Sequence, residues 1–468
     1  MAELKIGLVG PSYVQRSLPF DAQRTINLFP VMDRSGKDTA SLYGTPGLLE
    51  FTTCGAGPVR GEFKSGNGRV FIVSGTNLYE ISTAGTPTLL GSLFGSYGAV
   101  SMAEGTTQLA ICDGQYLYAL TYSTNDFSRV LSDNLPEGIG YVSNLDGYFV
   151  IVENDSGRFY KSSINDVTTW DALDYATAES APDNLVAPVV GIGLLWLFGE
   201  FTTEIWSDTG ASTFAFSRVS GGIMQAGLLA KASALELDNT VFWLGQDKFG
   251  SGIVYRADGF SPKRVSTDAI EKIISSASDK ENIRSWAYQE EGHVFYVLTG
   301  GGLPTSLVYD ISSQSWHERA YFDDYGNFGQ HLGCCHVFAF GKHFVGSRID
   351  GKVYEMSLDY YDDDGEEIVR ERTYTHLFDE GRRIRYNALE IGVESGVGNS
   401  TSTNPLISLQ LSKDGARTWS DWMTAEIGAI GAYQTKVRFR RLGVADQMTF
   451  RLRVSDKNKV AITGSYIK

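Results

Sequence analysis

Within one short stretch, His331, Cys334, Cys335 and His336 supply the nitrogen and sulfur donors that a zinc ion takes. A closed tetrahedral site needs those donors on one side of the chain. If the stretch is a strand, side chains alternate, so Cys334 and His336 share one face and Cys335 takes the other. The expectation is buried strand thiols and no bound metal. Residues 362–365, Asp-Asp-Asp-Gly, offer carboxylates to a calcium ion. An EF-hand, however, spaces its ligands at alternate positions, ends on a Glu at the twelfth and lies between two helices, none of which the sequence provides. A solvated hairpin turn is the better reading. No P-loop, nucleophile elbow or strand–GxGxxG–helix unit occurs. In Gly55-Ala56-Gly57-Pro58 the proline removes an amide that a phosphate would need, which leaves loop punctuation. The sequence therefore nominates no catalytic, cofactor-binding or metal-binding residue.

The elements around these residues repeat. Seven β-hairpins carry an aromatic in their second strand, at Tyr79, Tyr118, Tyr160, Trp206, Tyr255, Tyr309 and Tyr354, at intervals of 39, 42, 46, 49, 54 and 45 residues. A period in the forties, with four strands' worth of sequence per unit, marks propeller blades, which bury their faces only against neighbouring blades. Turns such as Asp113-Gly114 supply the positive φ that tight hairpins require. The expected fold is all-β: a β-propeller of seven blades, with six as the alternative count, and a separate β-sandwich at the C-terminus.

Composition agrees. The chain has 468 residues, 52 Gly and 12% aromatics, with one convincing helix near Asp268. That length buries large cores without staples. Cys54, Cys112, Cys334 and Cys335 form no disulfide framework and read as reduced thiols of a protein made in the cytoplasm. No apolar run is long enough to span a membrane, and residues 6–9 are too short for a signal peptide. The net charge is −15, and residues 366–468 carry +4, from 16 Lys and Arg against 12 Asp and Glu. The remaining residues 1–365 therefore carry −19, the difference between those two values. So acidic a body gains nothing by releasing counterions from phosphates, which argues against a DNA-coating protein.

Three regions follow. Residues 1–58 lack the repeat and read as an extended N-terminal arm, residues 21–31 in particular, with Leu48 to Phe51 able to add a strand to a blade or to a neighbouring subunit. Residues 59–360 form the propeller, interrupted at 267–277 by a helix capped by Asp268, with Ile270, Ile273, Ile274 and Ala277 as its apolar face. Residues 366–468 form the sandwich, where Phe450-Arg451-Leu452-Arg453-Val454 alternates apolar and basic positions.

Two local likenesses concern structure. Ser412 to Trp419 resembles the Asp-box turn of sialidase-like proteins, in one copy, outside the propeller and with its Gly one position early. Gly300-Gly301, Tyr309 and Trp316 resemble a single kelch repeat. Neither turn is catalytic in those families.

A broader resemblance covers most of the chain. The opening Asp21-Ala22-Gln23-Arg24-Thr25-Ile26-Asn27-Leu28-Phe29-Pro30-Val31 followed by Tyr43-Gly44-Thr45-Pro46-Gly47 is similar to the packaged-DNA stabilisation, or tail hub, family of short-tailed bacteriophages. So are Ala269-Ile270-Glu271-Lys272-Ile273-Ile274, Leu307-Val308-Tyr309-Asp310, Arg440-Arg441-Leu442-Gly443 and Thr463-Gly464-Ser465. The resemblance implies a non-enzymatic virion subunit, assembled in the bacterial cytoplasm, that forms a six-fold ring beneath the portal and its adaptor and keeps the genome inside. It further implies contacts with the adaptor ring, tail needle and tailspike or fibre proteins, with DNA passing unbound. It carries no catalytic residues. Two other functions compete: a glycan-binding or sialidase-like propeller that recognises a receptor, and a propeller scaffold of a host cell. From the charge split, the basic sandwich is expected to meet an acidic partner through Arg438, Arg440 and Arg451, while the acidic propeller faces DNA or solvent.

Overall fold

The structure, a computed structural model, describes residues 4–14, 17, 22–32, 40–211, 213–374, 376–378 and 381–468. Asp21, the first residue of the expected arm motif, lies outside them. Within the described residues, seven antiparallel units follow one another from Val59 to Ser357, each built on four strands, the fifth with a short extra strand and the seventh taking its outer strand from Gly47–Thr53. Their second strands are nearly continuous apolar runs, because both faces of each sheet are covered. In Val70–Ser74 of blade one, Val70 and Ile72 enter the seam with blade seven, while Phe71 and Val73 enter the seam with blade two. In Leu194–Gly199 of blade four, Leu195 and Leu197 face blade three, and Trp196 and Phe198 face blade five. Each fully buried side chain of this kind stabilises the fold by roughly 1.5–3 kcal/mol.

The recurring aromatics have one physical role. Each lies on the third strand of its blade and packs into the seam with the preceding blade: Tyr118 against blade one, Tyr160 against blade two, Trp206 against blade three. Tyr255, Tyr309 and Tyr354 do the same for blades four, five and six, and Tyr79 packs against blade seven. The seams thus close in a circle. The turn at Asp113 shows how a hairpin is set: its carboxylate accepts from the amides of Gln115 and Tyr116 at 3.0 and 2.8 Å, and Gly114 takes φ of 92°.

The described strands of residues 1–58 do not project as a free arm. Gly47–Thr53 pairs antiparallel with Lys352–Ser357 and becomes the outer strand of blade seven, so the two ends of the propeller are hydrogen-bonded to each other. Of the two roles open to Leu48 to Phe51, the chain uses the intramolecular one. Gly351 permits the close approach, since a Cβ there would collide with the carbonyls of Cys54 and Gly55. Further upstream, Leu28–Met32 and Ala40–Gly44 join the C-terminal sandwich. An unpaired strand would leave its amides and carbonyls without partners, and these edges are the nearest ladders available.

The sandwich core lies between two sheets. One contributes Leu28, Leu42, Leu389, Val437, Phe439 and Ile462, the other Ile407, Leu409, Phe450, Leu452 and Val454. The inserted helix spans Asp268–Ser276, and its cap is Thr267, whose Oγ1 accepts from the Ile270 amide at 3.4 Å. Asp268 is its first residue rather than its cap and forms an ion pair with Arg264 at 2.7 Å. Ile270, Ile274 and Ala277 fill the seam between blades five and six alongside Phe242, Tyr309 and Trp316.

Candidate functional site

The cysteine and histidine cluster is divided by a β-bulge. Gly333–Ala339 pairs with Lys342–Ser347, and the register shifts between Gly333 and Cys335. The extra residue breaks the alternation expected of a strand, so Cys334 and His336 do not share a face. Cys334 Sγ donates to the Val59 carbonyl at 3.2 Å and Cys335 packs into the same seam with blade one, the two sulfurs 4.0 Å apart. His336 turns to blade six, where its ring stacks 6.0 Å from Trp286 and shares a hydrogen bond of 2.9 Å with His343. Burial and the neighbouring His343 push His336 down to about 3. His331 is buried, and its Nδ1 accepts from the Gly333 amide at 3.1 Å. Among the described residues, no three His, Cys, Asp or Glu side chains converge as metal ligands.

The acidic turn at 362–365 is a hairpin, but it is not wholly solvated. Asp363 is buried beside Arg319 and Arg370, and burial pushes it up to about 6 against the pull of both guanidiniums. Asp364 pairs with Lys352 at 2.6 Å. The turn at Asp414 caps its own hairpin: the carboxylate accepts from Thr418 Oγ1 at 2.6 Å and from the amides of Arg417 and Thr418 at 3.0 Å, which hold it well below the usual carboxylate range.

The densest polar construction joins the two bodies, and no local motif announced it. The outer strand of blade six, Ser315–Phe322, pairs in parallel with Ala22–Ile26. That strand pairs antiparallel with Arg370–Thr373, and this one in turn with Gln447–Val454 of the sandwich. One sheet therefore runs from the propeller into the sandwich. At its centre Glu318, only 2% exposed, accepts from Ser12 Oγ at 2.6 Å, Thr305 Oγ1 at 2.8 Å, and Arg24 Nε and Nη2 at 3.0 and 2.5 Å. Burial alone would raise its pKa, but the Arg24 charge and these hydrogen bonds outweigh it and hold the carboxyl below the usual range. Asn27, at φ of 53°, donates to the carbonyls of Ala320 and Val369 at 2.8 and 2.9 Å and accepts from the Ala320 amide at 2.8 Å. Its one side chain thus links blade six to the first residues of the sandwich. The buried pair Glu318-Arg319 in mid-strand was the available signal, because two adjacent charged residues in a strand must find partners wherever both faces are covered.

The arginines expected to form one basic surface are dispersed. Arg440 is exposed, Arg438 is paired with Glu390, and Arg451 stacks 3.8 Å over Trp419 beside Glu371. Arg385 and Arg440, on the neighbouring strands Ile384–Val393 and Val437–Ala445, are both exposed.

A propeller joined to a sandwich by one continuous sheet is the class of architecture these bonds hold together. The chain belongs to the family described as "Bacteriophage P22 Gp10, beta-propeller", which matches residues 4–361, and residues 370–468 match its companion, "Bacteriophage P22 Gp10, beta-sandwich". It is 24% identical over 434 residues to the tail hub protein gp10 of Salmonella phage P22, covering 87% of this chain and 86% of that one. Among solved structures it is similar to the computationally designed Ika8 protein, at 11% identity over 66% of this chain and 99% of that one, with a TM-score of 0.39. It is also similar to YCF48 bound to D1 peptide, at 13% identity over 67% of this chain and 97% of that one, with a TM-score of 0.40.

Proposed function

We propose that this protein is a tail hub, copies of which form a six-fold ring below the portal and adaptor, close the DNA channel and retain the packaged genome. A structural place in a phage tail follows from the family. The observation that carries the finer reading is the similarity to a tail hub protein along 434 residues, spanning both the propeller and the sandwich. Retaining DNA under pressure calls for steric closure and stiffness, which the sheet shared by the two bodies provides. It does not call for base recognition. A body of net charge −19 over residues 1–365 repels the duplex, so the genome is blocked without adhering to the plug. The partners in this reading are the adaptor ring, the tail needle and the tailspikes or fibres, and the role involves no catalysis.

Electron microscopy of the purified protein mixed with its portal–adaptor complex tests the assembly. The expected image is a six-fold ring at the adaptor end. Nuclease sensitivity of DNA in particles made without the protein tests retention. A protein that fails to dock, together with particles that hold their DNA equally well in its absence, would refute the proposal.

A further inference from the structure

On the face where the inner strands begin, a cavity of about 270 Å³ opens between blades six, seven and one. Arg284, Arg348, Asn282, Gln330 and Cys334 line it, together with the turn Gly300-Gly301-Gly302, and no Asp or Glu does. We propose that this cavity binds a phosphate group, gripped by the guanidiniums of Arg284 and Arg348.

Among the described residues that line the cavity, no carboxylate balances the two arginines. Arg348 donates to the carbonyls of His331 and Gln330 at 3.0 and 3.3 Å, which are neutral partners. Behind the cavity wall lies Arg60, buried and held by the carbonyls of Gly75, Gly95, Tyr97 and Gly98 at 2.5–3.0 Å. Burial lowers its pKa, with the Asp113 charge opposing that fall and the Arg284 charge adding to it. Two guanidiniums thus line one cavity within an otherwise acidic body, while Arg60, with Asp113 beside it, stays behind the wall. Gln330 is occupied with holding the glycine turn, accepting from the Gly300 amide at 2.8 Å and donating to the Leu303 carbonyl at 2.6 Å. The arginines are left to face the space.

Charge selects the ligand class. A phosphate monoester carries about −1.5 to −2 near neutral pH and so balances both guanidiniums, whereas one carboxylate leaves the second uncompensated. The Cys334 thiol reports the same field: the hydrogen bond from Cys335, opposed by burial and aided by Arg284 and Arg348, brings it down to about 7. An anion bound beside it favours the protonated, unreactive thiol.

The test is alkylation of the full-length protein with iodoacetamide, followed at Cys334 by peptide mass mapping, while chloride is exchanged for inorganic phosphate at constant ionic strength. Occupancy is expected to slow Cys334 by about tenfold, the effect of a tenfold smaller thiolate fraction. The double substitution Arg284→Gln and Arg348→Gln removes the protection. A second arm uses a 5′-phosphorylated oligodeoxynucleotide: protection at lower concentration than inorganic phosphate identifies the end of a nucleic-acid strand as the source, and protection by inorganic phosphate alone identifies the free ion. Calorimetry with inorganic phosphate gives an answer independent of the thiol. No protection in either arm and no heat of binding overturn the proposal.

Discussion

The joint between propeller and sandwich yields a prediction in which the sign of a pH dependence is at stake. Glu318 is 2% exposed and Arg24 is 35% exposed, so removing either partner has unequal consequences. Arg24→Gln strands a carboxylate in the interior and is expected to cost ~3–5 kcal/mol at neutral pH, the range for breaking a buried pair. Glu318→Gln leaves a cation that can turn to solvent, and the cost should fall to ~2 kcal/mol. In the parent protein the Glu318 carboxyl sits below its unfolded value of about 4.3, so its contribution is fully present above that pH and is lost as pH falls through the folded value. Without Arg24, burial becomes the dominant influence and raises the folded pKa above the unfolded one. Stability should then rise as pH falls from 7 toward about 4.3, an interval over which the Glu318 contribution is constant in the parent. Urea unfolding of the three proteins at a series of pH values, followed by tryptophan fluorescence, measures this directly. Equal losses for the two variants, or a loss below ~1 kcal/mol for Arg24→Gln, would refute the buried-pair reasoning, because that is the worth of an exposed pair.

Other outcomes follow from the same geometry. Leu48→Ala, at a fully buried position in the closing strand, should cost ~2–5 kcal/mol and raise hydrogen exchange in Lys352–Ser357, and unchanged exchange there would show that ring closure does not depend on this strand. Asn27→Ala removes three buried hydrogen bonds and places a non-glycine residue less suited than Asn at positive φ, with an expected loss of ~2–4 kcal/mol in thermal or urea unfolding. The paired reversal Arg385→Glu and Arg440→Glu changes exposed positions, so the unfolding midpoint should hold within ~0.5 kcal/mol while docking to an acidic partner weakens in a salt-dependent way, and undiminished docking by sedimentation would remove the charge argument.

Much of the architecture could be read from residue order. The spacing of Tyr79, Tyr118, Tyr160, Trp206, Tyr255, Tyr309 and Tyr354 carried it because each fills the same seam in its own blade, and a repeated physical need leaves a repeated residue. Alternation in Phe450 to Val454 revealed a half-covered strand for the same reason. The cysteine cluster was misjudged at the level of facing, because a one-residue bulge at Gly333 to Cys335 is invisible to a period-two reading. Arg451 looked like free surface charge, yet it lies over Trp419, a contact made across the fold.

The chain's own composition and periodicity determined that it is all-β, that its sheets stack face to face and that its body is acidic, since these depend on which residues recur and how often. Only the tertiary structure decided where the strands Leu28–Met32, Ala40–Gly44 and Gly47–Thr53 go, that Glu318 meets Arg24 across nearly three hundred positions, and that Arg284 and Arg348 share one cavity. Pairings between distant segments depend on which backbone edges and charges remain unsatisfied once the local elements have formed, and that is a property of the assembled surface, not of any stretch of sequence.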